Sequence, residues 1–84
     1  MKEHIEKKIL ENFNCSRLEV IDNSHLHAGH NNFTGSKGTH FKLNIISKDF
    51  EGMSLVTRHR AVKKILAEEL AGQVHALELV TKTN

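Results

Sequence analysis

Three histidines fall within six positions, His25, His27 and His30, in the stretch of residues 24–32 that reads SHLHAGHNN. Imidazole nitrogens are the commonest side-chain metal ligands, and a cluster of them suits zinc, copper, iron or nickel. The chain holds seven histidines but only one cysteine, Cys15, and no tryptophan or tyrosine. A lone loop histidine is ordinarily a solvated polar side chain. Three so close together, in a glycine-bearing loop, lift the metal reading for at least one of them. Cys15 has no partner in this chain for an intramolecular disulfide, which points to a reducing compartment. Nothing near it in sequence would strongly lower its pKa, so it reads as structural or incidental.

The elements that must position these imidazoles follow from hydropathy patterning. Ile5, Ile9 and Phe13 recur at helical spacing, so residues 2–13 read as an amphipathic helix. LEVID, residues 18–22, alternates apolar and polar as a strand does, with Leu18 and Val20 on one face. Residues 23–39 have no usable period and form a long loop, a length often associated with function. HFKLNIIS, residues 40–47, returns as a strand whose Phe41, Leu43 and Ile45 face one way, with His40 pointing oppositely, towards solvent. A turn follows, in which Phe50 plugs the core and Gly52 supplies a backbone angle that other residues resist. Residues 54–70 read as one helix, capped by Ser54 and ended by Gly72, with a stripe of Leu55, His59, Val62, Leu66 and Leu70. The last element, residues 75–82, is a strand with Leu77 and Leu79 inward.

The order helix, strand, strand, helix, strand predicts an α+β fold: a single small αββαβ domain over residues 1–84, with a three-stranded mixed sheet covered by helices on one face. Strands 18–22 and 40–47 should pair antiparallel, and a crossover through the long helix lets the last strand run parallel to the second. His25, His27, His30, His40 and His75 then converge on one end of the fold. His59 lies towards the opposite end as a half-buried structural imidazole. The convergence depends on that parallel pairing.

Composition bounds the function. At 84 residues the core is thin and closed pockets are disfavoured. No apolar run approaches the ~20 residues of a membrane-spanning helix. The opening MKEHIEKKIL has no signal-peptide core, so the expected location is cytoplasmic. Net charge is +2 with mixed signs, which permits nucleic-acid contact without demanding it. A zinc hydrolase would want a carboxylate as general base, and the loop offers only Asp22 at its margin; with no nucleophile motif, an enzyme is not expected.

DFEGMSLVTRHRAVKKILAEEL followed by VHALELVTKT, with LEVIDNSHLHAGH and THFKLNIIS ahead of them, resembles the BolA family. The resemblance covers residues 18–83 closely. It implies an αββαβ fold of the class II KH-like type, without the phosphate-gripping loop. It also implies partnership with a monothiol glutaredoxin, as a heterodimer that binds or transfers a shared 2Fe–2S cluster, with none held by the isolated chain. One ligand implied by the resemblance falls on His75. The second comes from the loop, where His27 aligns best and His25 and His30 remain alternates. The chemistry agrees: a 2Fe–2S cluster takes four ligands, and one thiol cannot complete the set, whereas two histidines can hold one iron while a partner's sulfurs hold the other.

The alternative implied by the resemblance is a DNA-binding transcriptional regulator. Arg58 and Arg60 flank His59 off the apolar stripe, and Lys63 and Lys64 follow, partly offset by Glu68 and Glu69. KH domains clamp the backbone with a G-x-x-G loop between helices. GMSL at the helix start lacks the second glycine, and GSKG at residues 35–38 falls between strands, a coincidence of pattern. No membrane or small-molecule partner is expected.

Overall fold

The computed structural model describes residues 1–24 and 40–83. Helix α1 spans Lys2–Asn12, strand β1 Cys15–Asp22 and strand β2 His40–Ser47. A 3-10 turn, Lys48–Phe50, leads to helix α2, Leu55–Ile65, then a short helix α3, Ala67–Ala71, and strand β3, Ala76–Lys82. The sheet order is β1-β2-β3. β1 runs antiparallel to β2, and β3 runs parallel to it, as the sequence predicts.

Alternation along β2 decides which face is covered. Phe41, Leu43, Ile45 and Ser47 are buried, while His40, Lys42, Asn44 and Ile46 between them are half-buried. Register puts Val20 beside Leu43 on one side and Leu79 beside it on the other, so the inner face runs continuously across three strands. Ile5 and Ile9 of α1, Phe50, and Val62 and Leu66 close the core over that face. The opposite face presents Arg17, Glu19, Asn44, Val80 and Lys82.

Phe50 is fully buried, with its ring centroid 5.1 Å from that of Phe13. Gly52 has φ +80, the left-handed region that glycine enters without strain. Ser54 caps α2: its Oγ accepts from the Thr57 N–H at 3.1 Å.

Two features differ from the sequence reading. The long helix breaks at Leu66, where φ −98 and ψ 20 leave helical geometry and separate α2 from α3. No glycine or proline marks the break, and Leu66 is itself a core residue, 1% exposed. Leu55, placed by periodicity on the apolar stripe, is instead 61% exposed, as is neighbouring Val56 at 58%. The buried stripe of α2 begins only past its first turn, at the half-buried Arg58 and His59 and the fully buried Val62.

Candidate metal-ligating rim

The rim is built where β1 ends, β2 begins and β3 begins. Asp22 closes β1, and its Oδ1 accepts from the Ser24 N–H at 2.9 Å and from the Ser24 hydroxyl. Ser24 is 1% exposed, and its Oγ in turn accepts the His40 N–H at 3.2 Å. The His40 carbonyl accepts from the Asn23 N–H at 2.7 Å. A buried hydroxyl and an aspartate thereby latch the first residue of β2 to the last of β1, as buried polar groups require.

β3 completes the rim. His40 stands in register with Ala76, so His75, immediately before it, falls beside His40. Their ring centroids are 6.3 Å apart and the rings lie at 73°, edge to face. His40 is half-buried and His75 exposed. The parallel pairing on which the convergence depended is present. His25, His27 and His30 lie outside the described residues. Ser24 and His40, which bracket residues 25–39, are both on this rim.

Sequence reasoning set His40 aside as a solvent-facing residue. Alternation does place it opposite Phe41, and the parallel pairing brings His75 to the same rim as expected; the direct ring contact between the two is what spacing alone does not show. The Asp22–Ser24 latch was likewise missed, although an Asp-x-Ser pair at a strand end is a readable turn signature.

Cys15 sits at the other end of the sheet. It pairs with Ser47, seven rungs along β2 from His40, a separation of about 23 Å at strand rise. Burial, and after it the Asp49 carboxylate, raise its thiol above the ordinary range, which opposes the thiolate that a metal or a nucleophile needs. The sole thiol and the histidine rim therefore cannot serve one metal centre. A cluster at this rim would need its sulfur ligands from elsewhere. Among the described residues no three histidine, cysteine or acidic side chains form a self-sufficient metal site.

The helical candidates separate. Arg58 is half-buried; its Nε donates to the Met53 carbonyl at 3.0 Å and its Nη1 to the Thr81 carbonyl at 3.2 Å. Rather than standing free, it ties the start of α2 to the end of β3. Arg60, Lys63 and Lys64 are exposed, and His59 is half-buried, as its place on the helix predicts. Glu69, read as offsetting those lysines, is turned inward. Its carboxylate meets Lys8 Nζ at 2.8 Å and His4 Nε2 at 2.6 Å, both on α1. That leaves Glu68 as the acid set against the basic face.

A small αββαβ domain with an imidazole rim at one sheet end defines a recognisable class. A family model described as BolA-like protein matches residues 9–84, and the chain belongs to that family. It is 47% identical over 78 residues to an uncharacterized protein in the cobS 5′ region of a Sinorhizobium species, covering 92% of this chain and 84% of that one. It is 40% identical to a protein of Escherichia coli K12 named DNA-binding transcriptional regulator BolA, over 99% of this chain and 75% of that one. Among solved structures, the BolA domain of SufE1 from Arabidopsis thaliana superimposes with a TM-score of 0.87 at 41% identity, covering 98% of this chain and 90% of that one. Some relatives are longer: the chain spans 22% of the Arabidopsis SufE-like protein 1 and 51% of the chloroplastic BOLA1. Among the described residues no helix is long and apolar enough to cross a membrane.

Proposed function

We propose that this protein pairs with a monothiol glutaredoxin and binds or passes on a 2Fe–2S cluster held between them. His75 ligates one iron, with His27 as the second imidazole and His25 and His30 as its alternates. The observation that carries the reading is the separation just described: His75 stands exposed at a rim that also holds Ser24 and His40, while the only thiol is about 23 Å away along the sheet. A chain so arranged offers imidazoles and lacks the sulfur to finish the set, which is the complement of a thiol-bearing partner. Two neutral imidazoles on one iron remove negative charge from around the cluster, and in Rieske centres that substitution raises the potential.

The test is to titrate the protein into a monothiol glutaredoxin already carrying its cluster and to follow visible circular dichroism. The wild type is expected to convert the spectrum and form a 1:1 heterodimer, and His75→Ala to do neither while keeping its far-ultraviolet spectrum. A wild-type spectral change from His75→Ala removes His75 from the ligand set.

A second reading, DNA binding in transcriptional regulation, is favoured by the names of relatives from Vibrio cholerae and Escherichia coli. In this chain its support is the exposed set Arg60, Lys63 and Lys64 on α2, spaced to share one helix face.

A further inference from the structure

We infer that His40 is a positioning residue for His75: its ring braces the His75 ring edge to face and holds the iron-binding nitrogen in a productive direction. The inference rests on the cluster-binding reading above and deepens it. His75 lies outside β3 and is exposed, so its own surroundings leave its side-chain torsions loosely determined. His40 is the opposite case. Its N–H is held by Ser24 Oγ, its carbonyl by the Asn23 N–H, and its Cα by register with Ala76. The Ser24 hydroxyl that holds it is itself buried and bonded to Asp22. The base from which the His40 ring rises is thereby fixed by the backbone beside an exposed neighbour.

The geometry is that of an aromatic contact. At 6.3 Å and 73° the two rings meet in the edge-to-face arrangement that aromatic pairs prefer. Metal-binding histidines are ordinarily oriented by a group that does not touch the metal, and an edge-to-face contact of this kind is worth from about twofold to roughly tenfold in binding. His75 then meets a partner's cluster with fewer rotamers to lose. Because the contact joins the edge of one ring to the face of the other, the brace calls for an aromatic ring at position 40 and not for imidazole in particular.

That last point makes the role testable against both a ligand role and none. His40→Ala, His40→Phe and His75→Ala are each titrated into a monothiol glutaredoxin carrying a 2Fe–2S cluster, reading visible circular dichroism and the apparent Kd. In the protein alone, ring carbon and proton shifts of His75 are recorded by NMR, which also confirms that each variant is folded. His40→Ala is expected to weaken formation of the mixed cluster by roughly fivefold to tenfold and to shift the His75 ring signals. His40→Phe is expected to restore binding to within about threefold of wild type, since it keeps an aromatic ring at the contact. Wild-type behaviour of a folded His40→Ala overturns the inference. So does a folded His40→Phe as weak as His40→Ala, since a ring nitrogen would then be the needed group. If instead His75→Ala leaves the cluster spectrum unchanged, the function itself falls, a failure distinguishable from that of the brace.

Discussion

The Glu69 carboxylate, only 5% exposed, meets the Lys8 ammonium at 2.8 Å across the interface between α3 and α1, residues 61 positions apart in sequence. His4 adds a second contact from the next turn of α1. α1 is the N-terminal element, and this polar clamp attaches it to the fold beside the buried Ile5 and Ile9. Glu69→Ala is expected to cost about 1–3 kcal/mol, the range for losing charge-assisted hydrogen bonds at a mostly buried site. In a domain of this size each kcal/mol lowers Tm by roughly 4–8 °C. His4→Ala should cost less, because Lys8 still satisfies the carboxylate and His4 is half open to water. Thermal melts of the two variants check the order.

The same clamp sets a pH dependence. Burial pushes the Glu69 carboxyl upward, but hydrogen bonds from Lys8 and His4, together with its backbone bond and the Lys8 charge, outweigh it and hold the group below its ordinary value. A carboxyl with a depressed folded-state pKa stabilises the fold above the unfolded value, about 4.3, and loses that contribution as pH falls further through the folded value. Urea melts at pH 6 and pH 3 should therefore show the gap between wild type and Glu69→Gln narrowing in acid. A gap that stays constant would show that the charge on Glu69 does not stabilise the fold.

Gly52 isolates a backbone effect. With φ +80, a Cβ placed there meets nothing within 4 Å, so Gly52→Ala has no steric cost beyond its own conformation. The expected destabilisation is about 1–2 kcal/mol, the penalty for an L-residue in the left-handed region. Gly52→Asn should recover part of it, since asparagine tolerates that region better. Chemical denaturation should rank the three as Gly, Asn, Ala in falling stability.

The parts of this fold that were legible in the sequence depend on periodicity. Alternation in LEVID and HFKLNIIS gives strand faces that agree with the burial of Val20, Phe41, Leu43 and Ile45. The crossover length gives the parallel pairing that puts His75 at the rim. What was not legible depends on partners distant in sequence. The Arg58 guanidinium finds carbonyls at 53 and 81, and Glu69 finds side chains at 4 and 8. Neither is visible from helix spacing, which records only which face a residue occupies. The bend at Leu66 likewise has no breaker residue to announce it. His40 lies between the two cases: its face and its convergence with His75 were legible, and the edge-to-face ring contact was not.

The structural tie of Arg58 changes how the DNA-binding reading must be tested. Arg58→Ala removes hydrogen bonds to the Met53 and Thr81 carbonyls, so it is expected to destabilise the fold by about 1–3 kcal/mol whatever it does to DNA. Arg58→Lys should rescue little, because a single ammonium cannot reproduce the guanidinium fork. Arg60, Lys63 and Lys64 are exposed, and replacing all three with alanine should leave Tm within a few degrees. If these side chains bind phosphates, the triple variant lowers DNA affinity at every sequence tested. The slope of log K against log salt then falls by about 0.9 for each phosphate that is no longer neutralised, roughly 2.7 in all. Fluorescence anisotropy on a labelled duplex across a salt series reads that slope. An unchanged slope in a variant of wild-type stability would leave Arg60, Lys63 and Lys64 with no part in nucleic-acid binding.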